Sequence, residues 1–145
     1  MAMHEVMAEP TRDGAPRDQA KVEAFMGKVL SDVAGAYTAL MCALGDRLGL
    51  FKDLATNGPA TSGELAARTG TVERYAREWL GGMASAGYLA YDPATRRFTL
   101  PPEHVPLLAE EGGAMFVGGG YEELSSLVEQ FDREQQTSWT SDRDC

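Results

Sequence analysis

From Asp18 onward, apolar residues recur at the helical period. Val22, Phe25, Met26, Val29, Leu30 and Val33 stand at i, i+3, i+4, i+7, i+8 and i+11, which is one stripe on a helix. Gly35 interrupts the stripe. Tyr37, Leu40, Met41, Leu44, Leu48 and Phe51 then form a second one. The pattern predicts two helices, or one long helix bent near Gly35. Asn57-Gly58-Pro59 punctuates the chain. Thr61-Ser62-Gly63-Glu64 has the capping-box form and predicts a short helix that Gly70 stops. Thr71 is expected to cap a further helix with a buried stripe of Val72, Tyr75, Ala76, Trp79, Leu80 and Met83, and Gly87 is expected to close it. Two short aromatic-rich segments, Tyr88–Tyr91 and Arg97–Leu100, flank an Asp92-Pro93 turn and predict a β-hairpin. A short helix is expected at 105–110, with Pro106 in its first turn. Gly112-Gly113 and Gly118-Gly119-Gly120 read as loops, and Tyr121, Leu124, Val128 and Phe131 mark a last amphipathic helix.

These elements predict a mainly α chain: a winged helix-turn-helix with a small β-hairpin wing and extra N- and C-terminal helices. The expected layout is a disordered arm over 1–18 and a winged-helix domain over 19–110. A loop and helix over 111–136 follow, leading toward a catalytic domain outside the chain, then a polar tail over 137–145.

Length and charge refine this picture. At 145 residues, the chain fits one domain. No apolar run approaches a membrane span, so no membrane partner is expected, and the N-terminus lacks the form of a secretory signal. Two cysteines, Cys42 and Cys145, do not make a disulfide framework, and a reducing, cytoplasmic setting is expected. Cys42 reads as a small core residue. The net charge of −9 is uneven: −2 over residues 1–57, +1 over 58–100 and −8 over 101–145. The acidic balance argues against nonspecific nucleic-acid binding, because phosphate repels it.

Candidate chemistry is sparse. In a DNA reader the second helix of the motif enters the major groove. The corresponding cations here are Arg74 and Arg77, with Arg96 and Arg97 on the wing. Glu73 and Glu78 offset them, so a solvated mixed-charge face is the better reading and a DNA-binding regulator the alternative. Gly118–Gly120 lacks the alternating glycines of a nucleotide turn. Glu103-His104 has no nucleophile beside it in sequence and reads as a surface pair at a helix start. Tyr88, Tyr91 and Phe98 could line a ligand cleft, but wing aromatics more often pack. No catalytic, cofactor-binding or metal residue is assigned.

The stretches ALMCALGDRLGLFKDLA, TSGELAARTG, ERYAREWLGGMASAGYLAYD and RRFTLPPEHVPLL resemble the N-terminal winged-helix domain of certain bacterial S-adenosylmethionine-dependent methyltransferases. AEEGGAMFVGGGYEELSSLVEQF is similar to the same group, so the likeness covers roughly residues 20–135. The resemblance implies a module that pairs two subunits and roofs a substrate pocket. A separate C-terminal Rossmann-like domain would bind S-adenosylmethionine and transfer the methyl group. The expectation is therefore no cofactor in this chain, a homodimer, and no methyl transfer by the chain alone. The apolar excess points the same way. Val22, Phe25, Met26, Val29, Leu30, Val33 and Tyr37 offer more apolar surface than a small helical core can cover, and are the expected dimer interface.

Overall fold

The computed structural model describes residues 16–141, with side chains at 131, 132 and 134–141 left out of the account. Most of the expected N-terminal arm, the side chain of Phe131 and the last four residues of the expected tail therefore lie outside the described residues. Two compact units divide the chain, Met1–Ala36 and Tyr37–Cys145. Helix α1 (Gln19–Arg47) runs through the division. It is one helix, continuous through Gly35, which resolves the choice left open by the sequence. A single helical glycine costs only about 1 kcal/mol against alanine.

In the first unit, the described part of α1 carries Val22, Phe25, Met26, Val29, Leu30 and Val33, all exposed.

The second unit holds the winged helix. Its elements are α2 (Leu50–Asn57), α3 (Ser62–Thr69), α4 (Glu73–Ser85), β1 (Ala90–Asp92), β2 (Arg97–Thr99), a 3-10 turn (Pro102–His104), α5 (Val105–Leu108) and α6 (Gly118–Ser141). The expected stripe over 37–51 does not lie on one helix. Gly49, at φ 68°, breaks the chain between α1 and α2. Tyr37, Leu40, Leu44 and Leu48 face solvent, whereas Cys42, Ala43 and Gly45 are buried. The reason is Trp79. A Cβ at Gly45 would overlap its indole ring, so α1 must present a notch to α4. There the Trp79 Nε1–H donates to the Met41 carbonyl at 2.8 Å, and the Phe51 ring meets the indole edge-on at 4.9 Å. Leu50, Phe51, Leu54, Leu65, Leu80 and Met83 complete the core.

Helix α3 has the predicted capping box. The Glu64 N–H donates to Thr61 Oγ1 at 3.2 Å and the Thr61 N–H to Glu64 Oε2 at 2.9 Å. Arg68 clamps the preceding turn by donating to the Gly58 and Pro59 carbonyls, both at 3.1 Å. Helix α4 departs from expectation at its start. Val72, not Thr71, is the N-cap, and the Thr71 hydroxyl pairs instead with that of Thr69 at 3.0 Å. The inward face is Ala76, Trp79, Leu80 and Met83. Val72 lies outside the helix and Tyr75 at the edge of that face, and both are exposed. At the other end Gly87, at φ 83°, closes the helix as expected. The Tyr88 N–H donates to the Met83 carbonyl and the Gly87 N–H to that of Ala84, a Schellman pattern.

The wing pairs β1 and β2 antiparallel, with Tyr91 opposite Phe98 and their rings 4.6 Å apart. Asp92 holds the turn, accepting from the Thr95 hydroxyl at 2.7 Å and the Ala94 N–H at 3.0 Å. Those bonds hold its carboxyl below the usual carboxylate range. An unpredicted bridge ties the wing to the helices, since Ala60 and Phe98 exchange both backbone hydrogen bonds. The glycines 118–120 are not a loop. They form the first turn of α6, where a Cβ on Gly118 would collide with the Phe116 ring. Helix α6 runs to Ser141, past the point where the apolar period fades. Among the described residues no helix is long and apolar enough to cross a membrane.

Candidate functional site

Three features could carry function. The first is the outer face of α1. Every residue of the expected interface is exposed, Phe25 at 66%, Leu30 at 62% and Tyr37 at 68%. Large side chains at helical spacing, left in water, form an apolar strip that the described residues of the first unit do not cover. Each such side chain contributes about 1.5–3 kcal/mol when fully buried.

The second is the positive set read as a possible DNA contact. The fold gathers part of it and neutralises part. Arg77 and Arg96 line one cleft, but Glu73 lines it too and lies 3.6 Å from Arg77. Arg97 is held by Glu64, the same carboxylate that completes the α3 cap. That backbone bond, then the nearby arginines, keep the Glu64 carboxyl below its ordinary range, so it stays anionic beside the wing. Arg74 is exposed on α4, apart from that cleft. Arg96, at φ 55°, sits in a conformation uncommon for a side-chain-bearing residue, as hairpin geometry requires.

The third is a cavity of about 250 Å³ wholly inside the second unit. Ala86, Gly87 and Tyr88 supply one wall from the end of α4, and Leu107, Leu108 and Val117 another. Tyr121 from α6 and His104 from the 3-10 turn add polar atoms. His104 is not the surface residue expected: it is half-buried, with Nδ1 2.9 Å from the Tyr88 carbonyl. A carbonyl only accepts, so Nδ1 bears the proton. The Val117 N–H donates to the Leu107 carbonyl at 3.0 Å, which fixes the opposite rim. The Cys42 thiol is fully buried, 3.9 Å from the Met83 sulfur. Burial raises the thiol's pKa, against the lowering effect of hydrogen bonds with Tyr121 and Tyr88. Burial, then the bond with Tyr88, likewise pushes the Tyr121 phenol well above its ordinary value. The thiol and the Tyr121 phenol are therefore neutral near pH 7.

Of these cavity residues the sequence raised only Tyr88 as a cleft candidate. Tyr121 read as a packing residue, Cys42 as core, and Leu107 and Val117 carried no signal. Among the described residues, no group of three or more His, Cys, Asp or Glu is placed to hold a metal ion. The single described cysteine, Cys42, is free.

The fold is shared with solved structures. PigF with SAH superposes with a TM-score of 0.64 at 20% identity, over 80% of this chain and 33% of that one. The mitomycin 7-O-methyltransferase MmcR gives 0.61 at 24% identity, over 72% and 30%. An O-methyltransferase family protein from Burkholderia thailandensis gives 0.53 at 19% identity, over 84% and 33%. The chain thus spans about a third of the length of each. At these identities the likeness establishes the fold. No curated protein sequence matches the chain. The family model described as the Rv2258c-like winged HTH domain matches residues 36–110, more than half of the 145, and the chain belongs to that family.

Proposed function

We propose that this winged helix is the pairing and substrate-covering module of a methyltransferase. Two copies join through the outer face of α1, and the pair roofs an acceptor pocket completed by a separate domain that binds S-adenosylmethionine and transfers the methyl group. The observation that carries the reading is the exposed strip from Val22 to Tyr37. Each copy would bury seven side chains, fourteen in the pair. At about 1 kcal/mol gained for each half-exposed side chain, the sum is on the order of 14 kcal/mol. Association costs about 4–15 kcal/mol, so the gain is large enough to compete with that cost. The neighbours named for O-methyl transfer or carrying SAH support the wider setting, because the chain matches only about a third of each. The proposed compartment is the reducing cytoplasm of a bacterium, which suits the free, buried Cys42.

A DNA-reading role gains little from this arrangement. Arg77 and Arg97 each face a glutamate, and phosphate contacts dominate such affinity.

Sedimentation at micromolar concentration tests the pairing. The wild-type chain is expected as a dimer and Leu30→Asp as a folded monomer. A wild-type chain that stays monomeric while fully folded would rule pairing out. In an enzyme that carries this module together with the transfer domain, Leu30→Asp is expected to lower methyl transfer. Unchanged transfer by a monomeric enzyme would remove the covering role.

A further inference from the structure

We infer that Asn57 and Gly58, at the end of α2, form a self-modification site: the Asn57 side chain deamidates by closing a ring onto the Gly58 nitrogen, and the product loosens the tie between the helices and the wing. The inference goes beyond the pairing reading and does not rest on it, since both residues lie outside α1.

The fold itself creates the pair. Asn57 is the last residue of α2, and the chain leaves that helix through Gly58 at φ 80° and ψ −171°. Side-chain-bearing residues avoid this conformation, so glycine is needed to turn the chain toward Pro59. The same missing Cβ leaves the Gly58 nitrogen unshielded, and nothing lies within 4 Å of the place a Cβ would take. Asn57 is exposed, so water reaches its amide. Asparagine is among the thermolabile side chains, and Asn57 is the only one in the sequence.

The chemistry needs only base and water. Base removes the proton of the Gly58 N–H, and the nitrogen's electron pair attacks Asn57 Cγ. A succinimide ring closes as the Cγ–Nδ2 bond breaks, and Nδ2 leaves with a proton as ammonia. Water then opens the ring at either carbonyl. One product is aspartate. The other is isoaspartate, in which the main chain runs through the former side chain and is one atom longer. Water is consumed and ammonia released, and nothing is oxidised or reduced.

Two grips set the pace. Asn57 Nδ2 donates to Asp53 Oδ1 at 2.7 Å, and Arg68 donates to the Gly58 and Pro59 carbonyls. Ring closure must turn the amide and the following peptide out of both. The product restores neither. A carboxylate at 57 cannot donate to Asp53, and like charges at i and i+4 repel. A negative charge at a helix C-terminus also opposes the dipole. The extra atom of isoaspartate falls just ahead of Ala60, whose N–H and C=O both pair with Phe98 on the wing. Lengthening the chain there shifts the carbonyls that Arg68 holds and strains that bridge.

The test ages the 145-residue chain at mildly alkaline pH and physiological temperature, folded and, for reference, unfolded in guanidinium chloride. Peptide mass spectrometry reads residue 57. Expected is a gain of about 1 Da in the peptide that holds Asn57, matched by released ammonia, at a rate within 30-fold of the unfolded chain's. Asn57→Gln should abolish the gain. Arg68→Lys, which keeps the charge and gives up the two-carbonyl fork, should speed the gain at least three-fold with an unchanged melting curve. Should it melt early, Asp53→Ala, which releases the Asn57 amide, makes the same test. Amide exchange at Ala60 and Phe98 should be at least ten-fold faster in the isoaspartate form than in Asn57→Asp, which carries the charge without the extra atom. No gain at residue 57 in the folded chain, or a gain slower than the stated limit, would overturn the site. An unchanged rate in the folded Arg68 or Asp53 variant would overturn the role of the grips, and equal exchange in the two acidic forms the effect on the wing. These outcomes leave the sedimentation result untouched, so failure here and failure of pairing are told apart.

Discussion

The two halves of α1 have similar apolar patterns and opposite fates. From Val22 to Val33 the large side chains stand in water. From Met41 to Gly45 the helix buries a thiol, a methyl and a bare α-carbon, while Leu40 and Leu44 point outward. Hydrophobicity alone does not decide which residues go inside. In the second half the shape of α4 decides: the Trp79 indole needs a notch, and only Gly45 offers one. In the first half none of the residues described in that unit covers the strip.

That contrast can be broken most forcefully at the notch. Gly45→Ala drives a methyl into the Trp79 ring, and overpacking of this kind costs about 3 kcal/mol. A fall in Tm of roughly 10 °C is expected in a calorimetric melt. Gly27→Ala, on the outer half with open space around it, is expected to leave Tm unchanged or raise it slightly, since alanine favours helix by up to about 1 kcal/mol. Equal effects at the two glycines would show that the halves do not differ as described.

Next in size is the strip itself. Phe25→Asp places a charge within it in both copies of a symmetric pair. It should weaken pairing at least about 100-fold while the core's unfolding in dilute solution is unchanged. Sedimentation equilibrium and a denaturant titration read the two effects separately. A smaller effect is expected at the α3 cap. Thr61→Ala removes the hydroxyl that accepts from Glu64 and should cost about 1 kcal/mol by denaturant titration, with no change in pairing.

The smallest is a pH effect at Asp46, near the start of α6. Burial, then the charges of Glu122 and Glu111, push its carboxyl above the usual range. A raised carboxyl binds its proton more tightly folded than unfolded. Its contribution is therefore favourable at acid pH and is lost as pH rises through the raised value. Asp46→Asn should abolish that loss. The variant should gain slightly on the wild type as pH rises above the ordinary carboxylate range, an effect reduced by solvent screening. A constant difference across that window would mean that Asp46 titrates normally.

How much of this was legible beforehand follows the same contrast. Local signals read well. The Thr61–Glu64 box, the Gly87 stop and the hairpin around Asp92 depend on neighbours in sequence, and all three formed as expected. Errors arose where the outcome depended on distant residues. Leu40 and Leu44 look buried by period, but the indole of Trp79, far along the chain, selects the opposite face. Gly118–Gly120 looks like a loop by composition, yet it is the first turn of α6, where a Cβ at 118 would meet the distant Asp46 carboxylate as well as the nearby Phe116 ring. The cavity was the least legible feature. It needs residues from 86 to 121 to converge, and no spacing announces that. The α1 strip was legible because it is a purely periodic feature of one helix.

The central claim is that a second copy covers the outer face of α1, and the thioether of Met26 reports on it directly. Dilute peroxide oxidises exposed methionines, and mass spectrometry follows each residue. Met115, 62% exposed and away from the strip in sequence, serves as the internal standard beside Met26 at 55%. The account predicts that Met26 is protected at micromolar protein, becomes as reactive as Met115 on dilution, and is reactive at every concentration in Phe25→Asp. Oxidation of Met26 at the rate of Met115 throughout the wild-type dilution series would contradict it.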